Sequence, residues 1–322
     1  MNHTFKLFVL RPGFLLFLAI GFLLVSCKGP KEAANSATDI LPDALLWKIE
    51  RKDLPAPSYL FGTIHMIPGN DFFYPDGLEE AFKKSSKVVF EIDMDEMSDM
   101  GSLMALLSNL TMDNGVTLKK LLTPEEYKEV SDYFDGMGLP MMLLGNVKPM
   151  FLAMMAEVNM DPSAMEEEEI VSYEMELYDM AQAQSKGVGG LETMAYQMSL
   201  FDEIPYKEQA QMLLDAVRGT DTDSDAFDQT LNLYREQKVD AMASMVSDQT
   251  SGSNTDFEDI LLNDRNQNWI PIMAKKMAKD PVFFAVGAGH LGGQGGVIRL
   301  LRKEGYTVTP VSVYKSSGAK KI

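Results

Sequence analysis

Two histidines carry most of the chemistry open to this chain. Each stands three residues after a glycine, at the end of an apolar, strand-like run: Ser58-Tyr-Leu-Phe-Gly62-Thr-Ile-His65 and Pro281-Val-Phe-Phe-Ala-Val-Gly287-Ala-Gly289-His290. The sequence holds three histidines, and the other one, His3, lies in a leader-like segment. Two further strand-like runs end in acids: Lys87 to Asp93, with Glu91 and Asp93, and Gly187 to Glu192. Two imidazoles with a carboxylate are a suitable first shell for a divalent metal with open positions. Such a metal lowers the pKa of bound water to about 7 and supplies hydroxide for hydrolysis. A further acid such as Glu192 then suits a general base or a ligand-orienting group. No compact His-Glu-x-x-His pair is present, so the ligands must be gathered from distant segments. A lone strand-end histidine is more often just hydrogen-bonded to backbone, but two matched motifs favour a site. The glycines have a physical reason to be there: without a Cβ, backbone turns tightly or approaches a neighbour closely.

These residues need elements to hold them. Ala44 to Glu50, Ser58 to His65, Lys87 to Asp93, Gly187 to Glu192, the Phe283 run and Tyr306 to Tyr314 read as strands, and Met66 to Gly77 as a loop. Leu78 to Ser85 has helical spacing, as does Gly296 to Glu304. Between the end strands the chain is rich in Met and Leu and mainly helical over 97–185 and 193–280. One helix start, Thr123-Pro124-Glu-Glu126, has a cap residue, Pro in the first turn and an acid three residues on. The fold class is therefore α/β, with a helix-rich α+β arrangement as the alternative. A central mixed sheet is built from both chain ends, and a long Met-rich helical section lies between them. In open α/β sheets ligands bind beyond the carboxyl ends of the strands. Parallel neighbours would bring His65, Glu91, Glu192 and His290 to one crevice.

Other chemistries fit poorly. Gly287-x-Gly289-x-x-Gly292 matches a dinucleotide fingerprint, but no acid follows about twenty residues on, where the chain forms its last strand. Asp221-x-Asp223-x-Asp225 opens like a calcium loop, yet Ala226 replaces the turn glycine and Asn232 the bidentate acid. That loop and Glu166 to Glu169 read as solvated acidic segments. No Gly-x-Ser-x-Gly elbow occurs. The 24 methionines read mainly as adaptable core, with an apolar groove as the lesser option. A formal charge of −18 argues against nucleic-acid partners, which need a basic face.

The N-terminus reads as a leader: Lys6 and Arg11 precede an apolar run, Phe14 to Val25, too short to span a bilayer. It ends Leu24-Val25-Ser26-Cys27, and Cys27 is the only cysteine. This resembles a bacterial lipobox, whose cysteine is acylated. The expected organisation is a signal peptide over 1–26, acylated Cys27 with a flexible tether to 43, one domain over 44–314 and a tail over 315–322. The protein is then exported and lipid-anchored in the cell envelope.

Leu60-Phe-Gly62-Thr-Ile-His65, Val88-Val-Phe-Glu91, Gly190-Leu-Glu192-Thr193 with Gln197, Arg265-Asn266 and Val286-Gly287-Ala-Gly-His290-Leu-Gly292 with Gly305-Tyr306 resemble the TraB/PrgY/GumN family, to which the Tiki metalloproteases are related. The resemblance covers roughly residues 44 to 314. It implies an α/β core and a divalent metal of manganese or cobalt type, with zinc also open, and hydrolysis of peptide bonds. It makes His65, Glu91 and His290 the metal or catalytic residues. Glu192, Arg265 and Asn266 become site-lining candidates, with the arginine suited to a substrate carboxylate or an oxyanion. Two alternatives stay open: a metal-free His/Glu esterase, and a non-enzymatic lipoprotein that sequesters a peptide or other small ligand.

Overall fold

The computed structural model describes residues 40–95, 101, 109–157, 170–219, 222–250 and 258–314. The leader, Cys27, the tether to residue 39, Asp221, the Glu166 to Glu169 run, Ser251 to Thr255 and the tail from 315 lie outside the described residues. In chain order the elements are β1 (Leu46–Glu50), β2 (Ser58–Thr63), β3 (Ile67–Pro68), α1 (Leu78–Lys84), β4 (Lys87–Ile92), α2 (Leu118–Leu121), α3 (Pro124–Gly136), α4 (Met141–Leu144) and α5 (Pro149–Glu157). There follow β5 (Ile170–Val171), α6 (Tyr173–Ala183), β6 (Gly187–Glu192), α7 (Met194–Leu200), α8 (Tyr206–Arg218), α9 (Thr222–Arg235) and α10 (Val239–Thr250). The chain ends with α11 (Asp264–Met277), β7 (Val282–Gly287), α12 (Val297–Lys303) and β8 (Thr307–Pro310).

Six strands form one mixed sheet in the order β6-β4-β7-β2-β1-β8. The four neighbours β6, β4, β7 and β2 are parallel, while β1 runs antiparallel to both β2 and β8. The expected α/β class and the sheet built from both ends of the chain are therefore present. β2 and β7 are buried along their whole length, as their uninterrupted apolar sequences require of central parallel strands. Their register pairs Thr63 with Gly287, so the two Gly-x-x-His segments leave the sheet side by side.

Two expectations need correction. The last strand stops at Pro310 rather than Tyr314. Its partner β1 pairs with it from Glu50 opposite Thr307 to Trp47 opposite Pro310, and Pro310 has no N–H to extend the ladder. Single backbone bonds, Val311 N–H to the Leu46 carbonyl and Tyr314 N–H to that of Asp43, still tie the end down. The segment after His65 is not wholly loop either, because β3 pairs with β5 in a separate two-stranded ribbon.

The described residues divide into two compact units. One contains the six-stranded sheet and α1, α6, α7, α10, α11 and α12. Its core includes Trp47, Phe61, Phe82, Phe90, Trp269 and Phe283, all essentially inaccessible. The other is helical, built from α2 to α5 and α8. Leu118, Val130, Phe134, Leu152 and Leu213 form its buried centre. There α3 starts as its sequence predicts: Thr123 accepts from the N–H of Glu126, whose side chain accepts from the N–H of Thr123. No described helix is long and apolar enough to cross a membrane.

Candidate active site

The carboxyl ends of β2, β4, β6 and β7 converge in the sheet unit. Glu91 lies near the end of β4. Its Oε1 accepts the Gly287 N–H at 2.8 Å and its Oε2 accepts Arg265 Nη2 at 2.5 Å. The Gly287 contribution follows from the parallel pairing of β4 with β7, which matches Phe90 with Ala285 just before both segments leave the ladder. Gly62 matters for close approach. A Cβ there would sit 3.0 Å from Ala288 and from Leu291, so one motif's glycine makes room for the turn that carries the other motif's histidine.

His290 is buried in a short 3-10 turn, Ala288–His290, together with Gly289. Its Nδ1 is 2.7 Å from Asn266 Oδ1, and its Nε2 is 3.2 Å from Arg265 Nη1. Asn266 Nδ2 donates to the Gly295 carbonyl at 3.0 Å, which leaves Oδ1 as the acceptor facing the ring. His290 is therefore the Nδ1-protonated tautomer, with the Nε2 lone pair turned to the guanidinium. Burial is the main cause that pushes its pKa down to about 3, against the pull of Glu91, with the cations of Arg265 and His65 adding to the lowering. It is neutral at physiological pH.

Arg265 is the hub. Its Nε donates to Glu192 Oε1 at 2.9 Å, Nη2 serves both Glu91 and Glu192, and Nη1 also donates to the Leu261 carbonyl at 3.0 Å. It enters from the first turn of α11, directly after a π-helical stretch, Asp259–Asn263, an irregularity that recurs at functional sites. Glu192 is held further by Trp269 Nε1 at 2.9 Å and Gln197 Nε2 at 2.7 Å, and the same Gln197 nitrogen lies 3.2 Å from Glu91. Thr193 caps α7 by accepting the Tyr196 N–H. The helix thus starts directly after Glu192, and Gln197 comes round one turn later. Burial works against the charge on Glu91, but Arg265, the two imidazoles and the Gly287 N–H outweigh it. The carboxyl is held far below the usual range.

His65 has a separate partner. Its Nδ1 is 3.1 Å from Glu174 Oε1, which also accepts the Thr63 hydroxyl at 2.7 Å. Burial, the largest single influence, lowers the His65 pKa, but the charge and hydrogen bond of Glu174, with the charge of Glu91, outweigh it and raise the value to about 9. The imidazole is charged at neutral pH. Glu174 sits in the first turn of α6, after the cap Ser172, where an acid is unremarkable in sequence. Nothing distinguished it from Glu176, so sequence reading missed it. Trp269, whose ring lies 4.5 Å from that of His290, was missed for the same reason: an aromatic at helical spacing reads as core.

The structure thus brings Glu91, Glu192, Arg265, Asn266 and His290 into one buried network, with His65 and Glu174 as a second pair that senses Glu91 and Arg265 electrostatically. A cavity of about 460 Å³ opens beside Asn266 and Gly289, with Asn263 and Arg299 also on its wall. The donor types suit a divalent metal, but the arrangement does not close a shell around one. Among the described residues no three His, Cys, Asp or Glu side chains gather at ligand spacing. Arg265 bridges Glu91 Oε2 and the lone pair of His290, whose Nε2 is 3.7 Å from Glu91 Oε1.

The chain is 24% identical over 318 residues to the zebrafish (Danio rerio) Metalloprotease TIKI1, covering 83% of this chain and 63% of that protein. It is 24% identical over 346 residues to a Metalloprotease TIKI homolog of the sponge Amphimedon queenslandica, covering 91% of this chain and 66% of the relative. A shorter match to the human Metalloprotease TIKI1 reaches 34% over 102 residues, 31% of this chain and 19% of that protein. The chain therefore spans less than two-thirds of these relatives' lengths. No solved structure matches it significantly. The model of the TraB/PrgY/gumN family matches residues 45–310, and the chain belongs to that family.

Proposed function

We propose that the chain is a hydrolase of the cell envelope, tethered through an acylated Cys27, that cleaves an amide bond at the crevice where β2, β4, β6 and β7 end. One observation carries this reading. Five polar side chains, from three parallel strand ends and the first turn of α11, form a satisfied, buried network around Arg265 beyond the carboxyl ends of the sheet. Within it the chain's own groups divide the work. The charged His65 and Arg265 are placed to stabilise negative charge developing on a carbonyl oxygen. Glu91 stays ionised and orients whatever donor faces it. His290 keeps a neutral ring whose tautomer Asn266 holds.

The relatives are named metalloproteases, and a divalent metal of manganese or cobalt type belongs to this reading, with His65, Glu91 and His290 as its donors. A bound metal would supply Lewis acidity and an acidified water. Its seat requires the guanidinium of Arg265 to leave the Nε2 of His290 and the charged His65 to give up a proton. The arginine's present position also favours a second reading, a metal-free hydrolase in which that cation does the electrostatic work.

The test is peptide cleavage by the soluble domain, with metal analysis, in manganese, cobalt and chelator. Cleavage that needs metal and disappears in His65→Ala, His290→Ala and Glu91→Gln supports the first reading. Cleavage that persists in chelator but is lost in Glu91→Gln supports the second. Indifference to all three substitutions ends both.

A further inference from the structure

A second cavity, of about 550 Å³, lies in the sheet unit at the other end of β4 and β6. Its wall is basic in a chain that carries a formal charge of −18. Lys275 and Lys276 reach it from the last turn of α11, Lys279 from the turn that follows the helix, and Lys87 from the start of β4. Lys87 is paired with Asp280 at 2.9 Å. None of the other three has an ion pair among the described residues. Burial lowers the pKa of Lys276, and the neighbouring Lys87 and Lys275 lower it further, with only Asp93 opposing. Four cations crowded like this, with Asp280 paired to Lys87 and Asp93 the one acid acting on Lys276, are poised for an anion.

The floor shows what kind of anion. β6 is an edge strand of the sheet. Its pleat sets Gly187 and Gly189 beside Lys87 and Val89 of β4. A Cβ on Gly189 would meet only Lys276 Nζ, at 3.6 Å, so the glycines leave a shelf under the lysine wall. Val188 lines the cavity as well, so the cavity extends along β6. Among the described residues no backbone group pairs with the outer edge of that strand. An open edge offers main-chain donors and acceptors to an added strand. A lipid headgroup would use the charge but not the edge.

We propose that this groove binds an extended acidic polypeptide segment, paired as an additional strand on β6 with its carboxylates on Lys275, Lys276 and Lys279. The inference deepens the hydrolase reading and rests on it for its purpose: β6 runs from the lysines directly to Glu192. A strand paired along its six residues would cover about 20 Å and continue into the crevice. The groove would then select acidic substrates at a distance from the bond that is cut.

The experiment is fluorescence anisotropy with a labelled glutamate-rich octapeptide, the same peptide N-methylated at alternate amides, and phosphatidylglycerol vesicles. It uses the soluble domain, the double variant Lys275→Glu/Lys279→Glu at two exposed positions, and Lys128→Glu as a charge control on α3. The unmodified peptide should bind saturably. The double variant should weaken it by at least about tenfold, the loss of two charge-assisted contacts, and Lys128→Glu should leave it unchanged. The N-methylated peptide, with equal charge but no strand pairing, should bind far less. Equal binding of both peptides would overturn the added strand, and binding of vesicles alone would overturn the peptide in favour of lipid. Binding is read without turnover, so it should persist in His65→Ala. A failed hydrolase reading with intact peptide binding is thereby distinguishable from a failed groove.

Discussion

Arg265 joins two buried carboxylates and touches the lone pair of a neutral histidine. Removing it leaves Glu91 and Glu192 without their shared cation in a buried place. Arg265→Met should cost about 3–5 kcal/mol at neutral pH, as for other broken buried ion pairs. The sign with pH is definite. Arg265 is the largest influence that lowers the Glu91 pKa, so without it the folded value rises and protons bind the folded variant more tightly than the folded unaltered protein. The variant's deficit should shrink as pH falls from 7 towards 5, measured by urea unfolding at both. Asn266 acts through the ring it holds. Asn266→Ala removes the acceptor for His290 Nδ1–H and should lower kcat/KM on a cleavable peptide by about 10–100-fold, the usual cost of losing such an orienting partner. An unchanged kcat/KM would show that the tautomer of His290 does not matter.

At the scale of elements, the turn carrying His290 fits against its neighbours at two glycines. Gly62 on β2 leaves room for Ala288 and Leu291, where a Cβ would be 3.0 Å from each. Gly292 is tighter: its Cβ would overlap the backbone of Val239 and lie 2.8 Å from the Cα of Asp240, at the start of α10. Backbone cannot swing aside as a side chain can. Gly292→Ala should therefore destabilise more than Gly62→Ala, each by about 1–3 kcal/mol as in overpacked cores. Thermal unfolding of both variants checks the order. Equal midpoints would mean that the turn and α10 shift together.

At the scale of the molecule, one acid ties distant stretches of the sheet unit. Asp240 on α10 accepts from the Leu41 N–H, from the Gly293 N–H and from Arg299 of α12. Burial raises its pKa, but those hydrogen bonds outweigh the effect and hold it below the usual range. A depressed folded value stabilises the protein above the unfolded pKa of about 3.9, and that contribution is lost as pH falls through the folded value. Asp240→Asn should unfold more easily at pH 7. It should also lose less stability on acidification than the unaltered chain, compared by unfolding midpoints at pH 7 and at about 3, below the usual carboxyl range. Parallel acid profiles for the two proteins would show that this carboxylate has no such role.

The local pattern alone marked the six strands of the main sheet, though not their ends nor the β3–β5 ribbon, and which polar residue stands beyond the carboxyl ends of its four parallel strands. Apolar runs, period and glycine breaks are properties of neighbouring residues, and they marked His65, Glu91, Glu192 and His290 without any knowledge of the fold. The motif spacing also carried the family. Tertiary structure decided what those residues face. That β7 is threaded between β4 and β2, that Arg265 lies among two acids and a histidine, and that Glu174 rather than Glu176 meets His65 are all facts about partners far apart in the chain. A helix-start acid or a helical tryptophan looks the same in sequence whether it meets water, core or an active site. Only the packing of strand ends against α6 and α11 separates those cases, because a side chain's charge and tautomer are set by the groups it touches.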